Sequence, residues 1–260
     1  MTKEFSQEFY LSAGEVNAEG EMSLSLLVSK IIDIATAHAN SLGIGNPAME
    51  SLGRGWVLSR IAIEVSRYPK VNENYKLTTW IESWNRHFSS RNFMLSDACG
   101  NPVGYGRSIW MILDTNTRES VGLSHLNFDP ELISDRECPI QGAGKHCIVL
   151  PQDFDGEIPR GGHVATHEPY EYMFKYGDLD FYRHVNTVRY VTMILNQFGL
   201  AEMDSTIVSR LEMSFMREGR YGEVINLLRS DDDLHSAFSI QDAEESTPLL
   251  FAQTLRKPRV

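Results

Sequence analysis

The segment Asp178-Leu179-Asp180-Phe181-Tyr182-Arg183-His184-Val185-Asn186-Thr187 sets a carboxylate, Asp180, four residues before an imidazole, His184. Such a pair suits acid/base chemistry: histidine titrates near neutrality, and a neighbouring carboxylate favours its charged form. The segment falls where a strand gives way to a helix. The first amides of that helix, at Val185 and Asn186, lack partners within it and carry positive dipole character. Those N–H groups would form an oxyanion hole for a thioester or ester carbonyl. A second reading stands beside this one: Asp180 N-caps the helix and His184 is an ordinary surface residue.

Positioning such a pair needs a frame, and the chain writes its frame twice. Gly14, in Phe9-Tyr10-Leu11-Ser12-Ala13-Gly14-Glu15, matches Gly177, 163 positions on, and at that offset Ile31 and Ile32 fall on Ile194 and Leu195. Ser59-Arg60-Ile61 matches Ser209-Arg210-Leu211 at an offset of 150, and Phe93 to Ala98 matches Phe238 to Ala243 at 145. The shrinking offset is that of a second copy with shorter connections. At these offsets Asp180 answers to Asn17, His184 to Glu21 and Glu218 to Tyr68. An Asp, a His and a Glu gathered in one copy alone mark chemistry the other lacks.

Each copy reads as a strand, a long helix and a run of strands. Leu27, Ile31, Ile34, Ala35 and His38 form a helical stripe over Met22 to Leu42, stopped by Gly43, Gly45 and Pro47. Val185, Val188, Val191, Ile194 and Phe198 repeat it, with Gly199 placed for a left-handed helix end. Val57 to Val65 alternates as a half-buried strand, and Tyr75–Trp80, Asn92–Asp97 and Tyr105–Leu113 follow it. The second copy offers Ser209–Phe215, Val224–Leu228, Ser236–Gln241 and Leu249–Leu255. The acidic runs at 231–233 and 244–245 read as hairpin tips. The expected fold is α+β: tandem hot-dog domains, each a central helix wrapped by an antiparallel sheet, paired as an intrachain pseudo-dimer. The expected division is residues 1–130, a Gly- and Pro-rich linker over 131–163, and 164–260.

Composition bounds the function. At 24 Lys plus Arg against 35 Asp plus Glu, the net charge of −11 argues against a nucleic-acid partner. No apolar run is long enough to span a bilayer, and the first residues lack the basic start and apolar run of a signal peptide. Cys99, Cys138 and Cys147 are too few and scattered for a disulfide framework or a zinc site, which points to the cytoplasm. His87, His146, His163 and His167 show no metal-ligand spacing, and Gln141-Gly142-Ala143-Gly144 precedes no helix, so no metal or nucleotide cofactor is expected. His38, on the apolar stripe, reads as a core histidine, and Trp56, Trp80, Trp84 and Trp110 read as core.

Several motifs in order carry a resemblance. They are Trp56-Val57-Leu58-Ser59-Arg60 through Tyr68-Pro69; Arg107-Ser108-Ile109-Trp110 with Leu113-Asp114; Asp178-Leu179-Asp180 with His184-Val185-Asn186 and Arg189-Tyr190; and Arg217-Glu218. Over nearly its whole length the chain resembles the acyl-acyl-carrier-protein (acyl-ACP) thioesterases, double hot-dog enzymes that release fatty acids. The resemblance implies a catalytic set of Asp180, His184 and Glu218, with an acyl slot in the first copy. Tyr182 stands where plant members carry Asn, so that hydrogen bond is replaced by the Tyr182 hydroxyl, by water, or not at all. Gly219 stands where they carry Cys, so a Cys–His mechanism cannot operate there. The expected reaction is hydrolysis in which Glu218, or else Asp180, activates water while His184 orients it or carries the proton to the thiol. Direct attack by Asp180 to form an anhydride competes. Strict alternation puts Glu218 opposite Leu211, Met213 and Phe215, so a bulge at Gly219 or the end of the strand must redirect it.

The partner the resemblance implies, an acyl-carrier protein, is acidic. Arg183, Arg189, Arg217 and Arg220 crowd the candidate site in sequence and are the expected docking residues, with Arg256-Lys257-Pro258-Arg259 as a basic tail. A homodimer is compatible with the fold. Three other readings stay open: a coenzyme A thioesterase, a non-catalytic acyl-binding module and a double hot-dog hydratase.

Overall fold

The computed structural model describes residues 2–126, 128–144 and 147–259, and His146 lies outside them. The chain folds as two compact units, Met1–Gly142 and Ala143–Val260. The Gly- and Pro-rich stretch is therefore shared: Ile140 is buried in the first unit, and Cys147 and Val149 in the second. A short parallel pair, β6 (Val149–Leu150) and β7 (His163–Val164), closes part of that stretch.

In the first unit, β1 (Glu4–Tyr10) leads to α1 (Leu24–Ser41) and a short α2 (Asn46–Ser51). Four long strands follow: β2 (Arg54–Val65), β3 (Asn74–Trp84), β4 (Ser89–Asp97) and β5 (Pro102–Asp114). They pair antiparallel in the order β1-β3-β4-β5-β2. The Ser23 side chain caps α1 by accepting from Leu26 N–H at 3.1 Å. The stripe the periodicity predicts, Leu27, Ile31, Ile34, Ala35 and His38, is the buried face. Gly43, at φ 73°, takes the left-handed turn that ends the helix, while Gly45 opens α2 with Pro47 in its first turn.

The second unit runs β8 (Tyr170–Met173), α3 (Thr187–Leu195), α4 (Leu200–Ser205), β9 (Thr206–Phe215), β10 (Val224–Asp232), β11 (His235–Asp242) and β12 (Pro248–Pro258). Its sheet order, β8-β10-β11-β12-β9, is that of the first unit element for element. One-turn 3-10 helices at Ala13–Glu15 and Tyr176–Asp178 hold the matched glycines. The repeat reaches single ion pairs. Arg67 binds Glu73 and Asp97 in the first unit, and Arg217 binds Glu223 and Asp242 in the second.

The helices differ. α3 is half the length of α1, and Gly199, at φ −73°, opens α4 where a left-handed stop is expected. Beside that turn Phe198 is buried between the Arg229 and Arg256 guanidinium groups at 4.5 and 4.7 Å. Arg256 is buried there and bonds Glu202 at 2.9 Å, and residues 256–258 belong to strand β12, not to a free basic tail. The equivalent of Phe198 in the first unit is Ala35. There a cavity of about 410 Å³, mouth included, lies under α1, lined by Ala35, Ala39, Trp56, Trp84, Trp110 and Arg91.

Candidate active site

The turn that carries Asp180 and His184 is built by the backbone and occurs in both units. In the second, Asp180 N–H donates to His184 O at 2.8 Å and Arg183 N–H to Asp180 O at 3.0 Å. In the first, Asn17 N–H donates to Glu21 O at 2.8 Å and Gly20 N–H to Asn17 O at 3.1 Å. The side chains at the head of the turn do the same work: Asp180 Oδ1 accepts from His184 N–H at 3.1 Å, and Asn17 Oδ1 from Glu21 N–H at 2.9 Å. Asp180 Oδ1 also accepts from Tyr182 N–H at 2.9 Å. Asp180 thus clamps the turn and not the helix. The N-cap of α3 is Asn186, whose Oδ1 accepts from Val188 N–H at 2.9 Å.

What the second unit adds is charge and reach. His184 Nε2 lies 3.2 Å from Glu218 Oε2, both side chains about one quarter exposed. No bulge is needed to bring Glu218 there. β9 ends at Phe215, and the chain beyond it turns back so that Val185 N–H donates to Gly219 O at 3.0 Å and His184 bridges to Arg220. In the first unit Met22 N–H donates to Pro69 O at 2.8 Å and Glu21 bridges to Lys70, with Tyr68 in the place of Glu218. Gly219 is required by space: a Cβ there would stand 2.5 Å from the Tyr190 hydroxyl and 2.9 Å from the Phe174 ring. A cysteine at this position would force those side chains or the backbone to shift. Elsewhere burial pushes the Cys147 thiol up to about 11 and raises that of Cys138, so neither is a thiolate at neutral pH.

Two expectations are corrected. The Val185 and Asn186 amides are not free for an oxyanion: the first donates to Gly219 O, and the second to Asp178 O at 2.8 Å. At the helix start Val188 N–H goes to the Asn186 side chain and Arg189 N–H to Asn186 O, which leaves Thr187 N–H without a partner among the described residues. Two of the four docking arginines are also occupied. Arg189 Nε bonds the buried Asp178 carboxylate at 2.7 Å, which accepts from Tyr172 as well, and Arg217 is held by Glu223 and Asp242. The Arg67–Glu73 spacing, repeated in Arg217–Glu223, is the sequence signal that this arginine is structural.

Arg183 and Arg220 are exposed, with no ion-pair partner among the described residues. Arg183 sits at φ 64° where the first unit has Gly20 at φ 71°, a conformation costing a non-glycine residue roughly 1–2 kcal/mol. The Tyr182 ring is tilted against Phe181, 4.0 Å between centroids, at the rim of the turn.

In the first unit His38 is buried with both ring nitrogens engaged: Nε2 with Thr2 O at 3.1 Å and Nδ1 with Arg91 at 2.9 Å. Burial, and then the Arg91 charge, hold His38 down to about 4. Arg91 is itself buried with no carboxylate partner among the described residues, and burial lowers it to about 10. Sequence reasoning did not find Arg91, because nothing in its neighbours marks it as buried. Trp80 is core, whereas Trp56, Trp84 and Trp110 are half-buried cavity wall.

The family model of the acyl-ACP thioesterase N-terminal domain matches residues 2–125, and that of the C-terminal domain matches residues 162–254. An acyl-ACP thioesterase structure from Bacteroides thetaiotaomicron superposes with a TM-score of 0.84 at 25% identity, covering 98% of each chain. The 12:0-ACP thioesterase from Umbellularia californica superposes at 0.77 with 19% identity, covering 100% of this chain and 99% of that one, a likeness of fold. The chloroplastic palmitoyl-acyl carrier protein thioesterase of Gossypium hirsutum is 24% identical over 247 residues, 92% of this chain and 58% of that protein. The chain thus spans about three fifths of the length of the curated relatives it matches.

Proposed function

Because the chain belongs to the acyl-ACP thioesterase family, we propose that it hydrolyses the thioester of a fatty acyl group borne on acyl carrier protein and releases the free acid. The observation that carries this reading is the 3.2 Å contact of His184 with Glu218, on a turn whose twin in the first unit bears Glu21 and Tyr68. Glu218 takes a proton from water as its oxygen adds to the thioester carbonyl. Thr187 N–H, at the positive end of α3, stabilises the oxyanion in place of the Val185 and Asn186 amides. When the tetrahedral intermediate collapses the C–S bond breaks, and His184, in contact with Glu218, delivers the proton to the departing thiolate. Asp180 positions His184 by holding its amide. Proton transfer of this kind contributes about 10²–10⁴-fold and one oxyanion donor roughly 10²–10³-fold.

The first unit holds the acyl chain in this reading, in the cavity its Ala35 leaves where the second unit has Phe198. Among the described residues no helix is long and apolar enough to cross a membrane. A cytoplasmic location is the companion proposal, supported by three free cysteines. The test is hydrolysis of acyl-ACP and acyl-CoA over several chain lengths, with His184→Ala alongside. Turnover of acyl-ACP, falling 10²–10⁴-fold in kcat with KM nearly unchanged in the variant, is expected. Absence of turnover on any acyl-ACP, or a variant as fast as the parent, would overturn the assignment. Faster turnover of acyl-CoA would reassign the carrier.

A further inference from the structure

The two units share one backbone turn, so the first is an internal control for what the turn itself requires. It requires none of the side chains at Phe181, Tyr182, Met216 and Tyr221, whose equivalents are Ala18, Glu19, Ser66 and Val71. Yet all four are exposed in the second unit, Phe181 by 76% and Tyr221 by 69%. They flank His184 and Glu218 on the two segments tied by the Val185–Gly219 hydrogen bond and the His184–Arg220 bridge. Arg183 and Arg220 stand among them, cations without ion-pair partners among the described residues in a chain of net charge −11. Exposed aromatics, Met and Arg carried on two segments tied through their backbones have the composition of a protein-recognition hot spot.

We propose that this aromatic patch is the docking face for an acidic carrier protein, with Phe181 and Tyr221 as its anchors and Arg183 and Arg220 as guides. The proposal rests on the thioesterase reading and names how that site receives its substrate. Its distinguishing feature is that apolar burial outweighs charge. Exposed ion pairs weaken as salt rises, whereas buried rings do not.

The test compares decanoyl-acyl carrier protein with decanoyl-N-acetylcysteamine as substrates for the full chain. In Phe181→Ala/Tyr221→Ala the ratio of kcat/KM on the carrier-borne substrate to that on the small thioester should fall about tenfold or more. In Arg183→Glu/Arg220→Glu, at physiological salt, it should fall less. For the parent, KM on the carrier-borne substrate should change less than about threefold between 0.05 and 0.5 M salt. Thermal melts check that each variant is folded. A ratio unmoved by the aromatic pair, or a larger effect from charge reversal with steep salt dependence, would overturn the proposal. So would a parent dimer that the aromatic substitutions dissociate without moving the ratio, since the patch would then be a seam between copies. A parent that cleaves neither thioester would instead sink the functional reading itself.

Discussion

Gly219→Cys restores the residue that the family resemblance places after the glutamate, and here it should damage the fold and the proposed activity. The added Cβ would meet the Tyr190 hydroxyl at 2.5 Å, the Phe174 ring at 2.9 Å and Val185 Cγ2 at 3.0 Å. All three are buried, and Tyr190 is braced edge-on by Phe174 at 5.8 Å and Phe215 at 6.2 Å, so moving its ring disturbs both neighbours. Reaching ordinary contact needs a shift of about 1 Å, and overpacking of this kind costs about 1–3 kcal/mol. For a chain of this size that is roughly 3–10 °C in Tm. The cheapest relief moves the 219 backbone, whose carbonyl accepts from Val185 N–H, and so separates Glu218 from His184. A misplacement of that size can cost about 10²-fold in rate. The assay is a thermal melt beside kcat/KM on acyl-ACP, repeated in a Tyr190→Phe background that removes the nearest obstructing atom. Part of both losses should return there, with Phe174 and Val185 still in the way. A Gly219→Cys protein that melts and turns over like the parent, or a penalty indifferent to Tyr190→Phe, would refute the packing argument.

Two further outcomes follow from the first unit. His38 is held to about 4 when folded against 6.5 unfolded, so the unfolded chain binds the extra proton between those values. Stability should therefore fall as pH drops from about 6.5 towards 4, and His38→Gln should flatten that part of a denaturant-midpoint profile; an unchanged slope refutes the assignment. Ala35→Phe copies the Phe198 plug into the cavity and should lower kcat/KM on long acyl chains at least about tenfold relative to short ones. An unchanged chain-length profile would place the acyl slot elsewhere.

How much of this was legible follows from the kind of signal each feature leaves. Leu27, Ile31, Ile34, Ala35 and His38 announce α1 because a buried helix face must recur every three to four residues, and the repeat announced the second sheet. The contacts beside the end of α3 leave no such mark, since the arginines that hold the Phe198 ring come from β10 and β12, far along the chain. Alternation pointed Glu218 the wrong way because it assumes a continuing strand, and β9 stops three residues earlier. The oxyanion amides escape sequence for a related reason: the partners of Val185 and Asn186 are carbonyls at 219 and 178, outside the helix. Arg189 and Arg217 looked free in sequence because ion pairs with Asp178, Glu223 and Asp242 form only on folding.

The turn shared by Asn17–Glu21 and Asp180–His184 is secured by amides and carbonyls, together with one short side chain at its head. Its three middle residues are Ala-Glu-Gly in one unit and Phe-Tyr-Arg in the other, the arginine holding the left-handed backbone that the glycine takes without strain. A loop so founded can exchange what it displays while the backbone beneath keeps its footing.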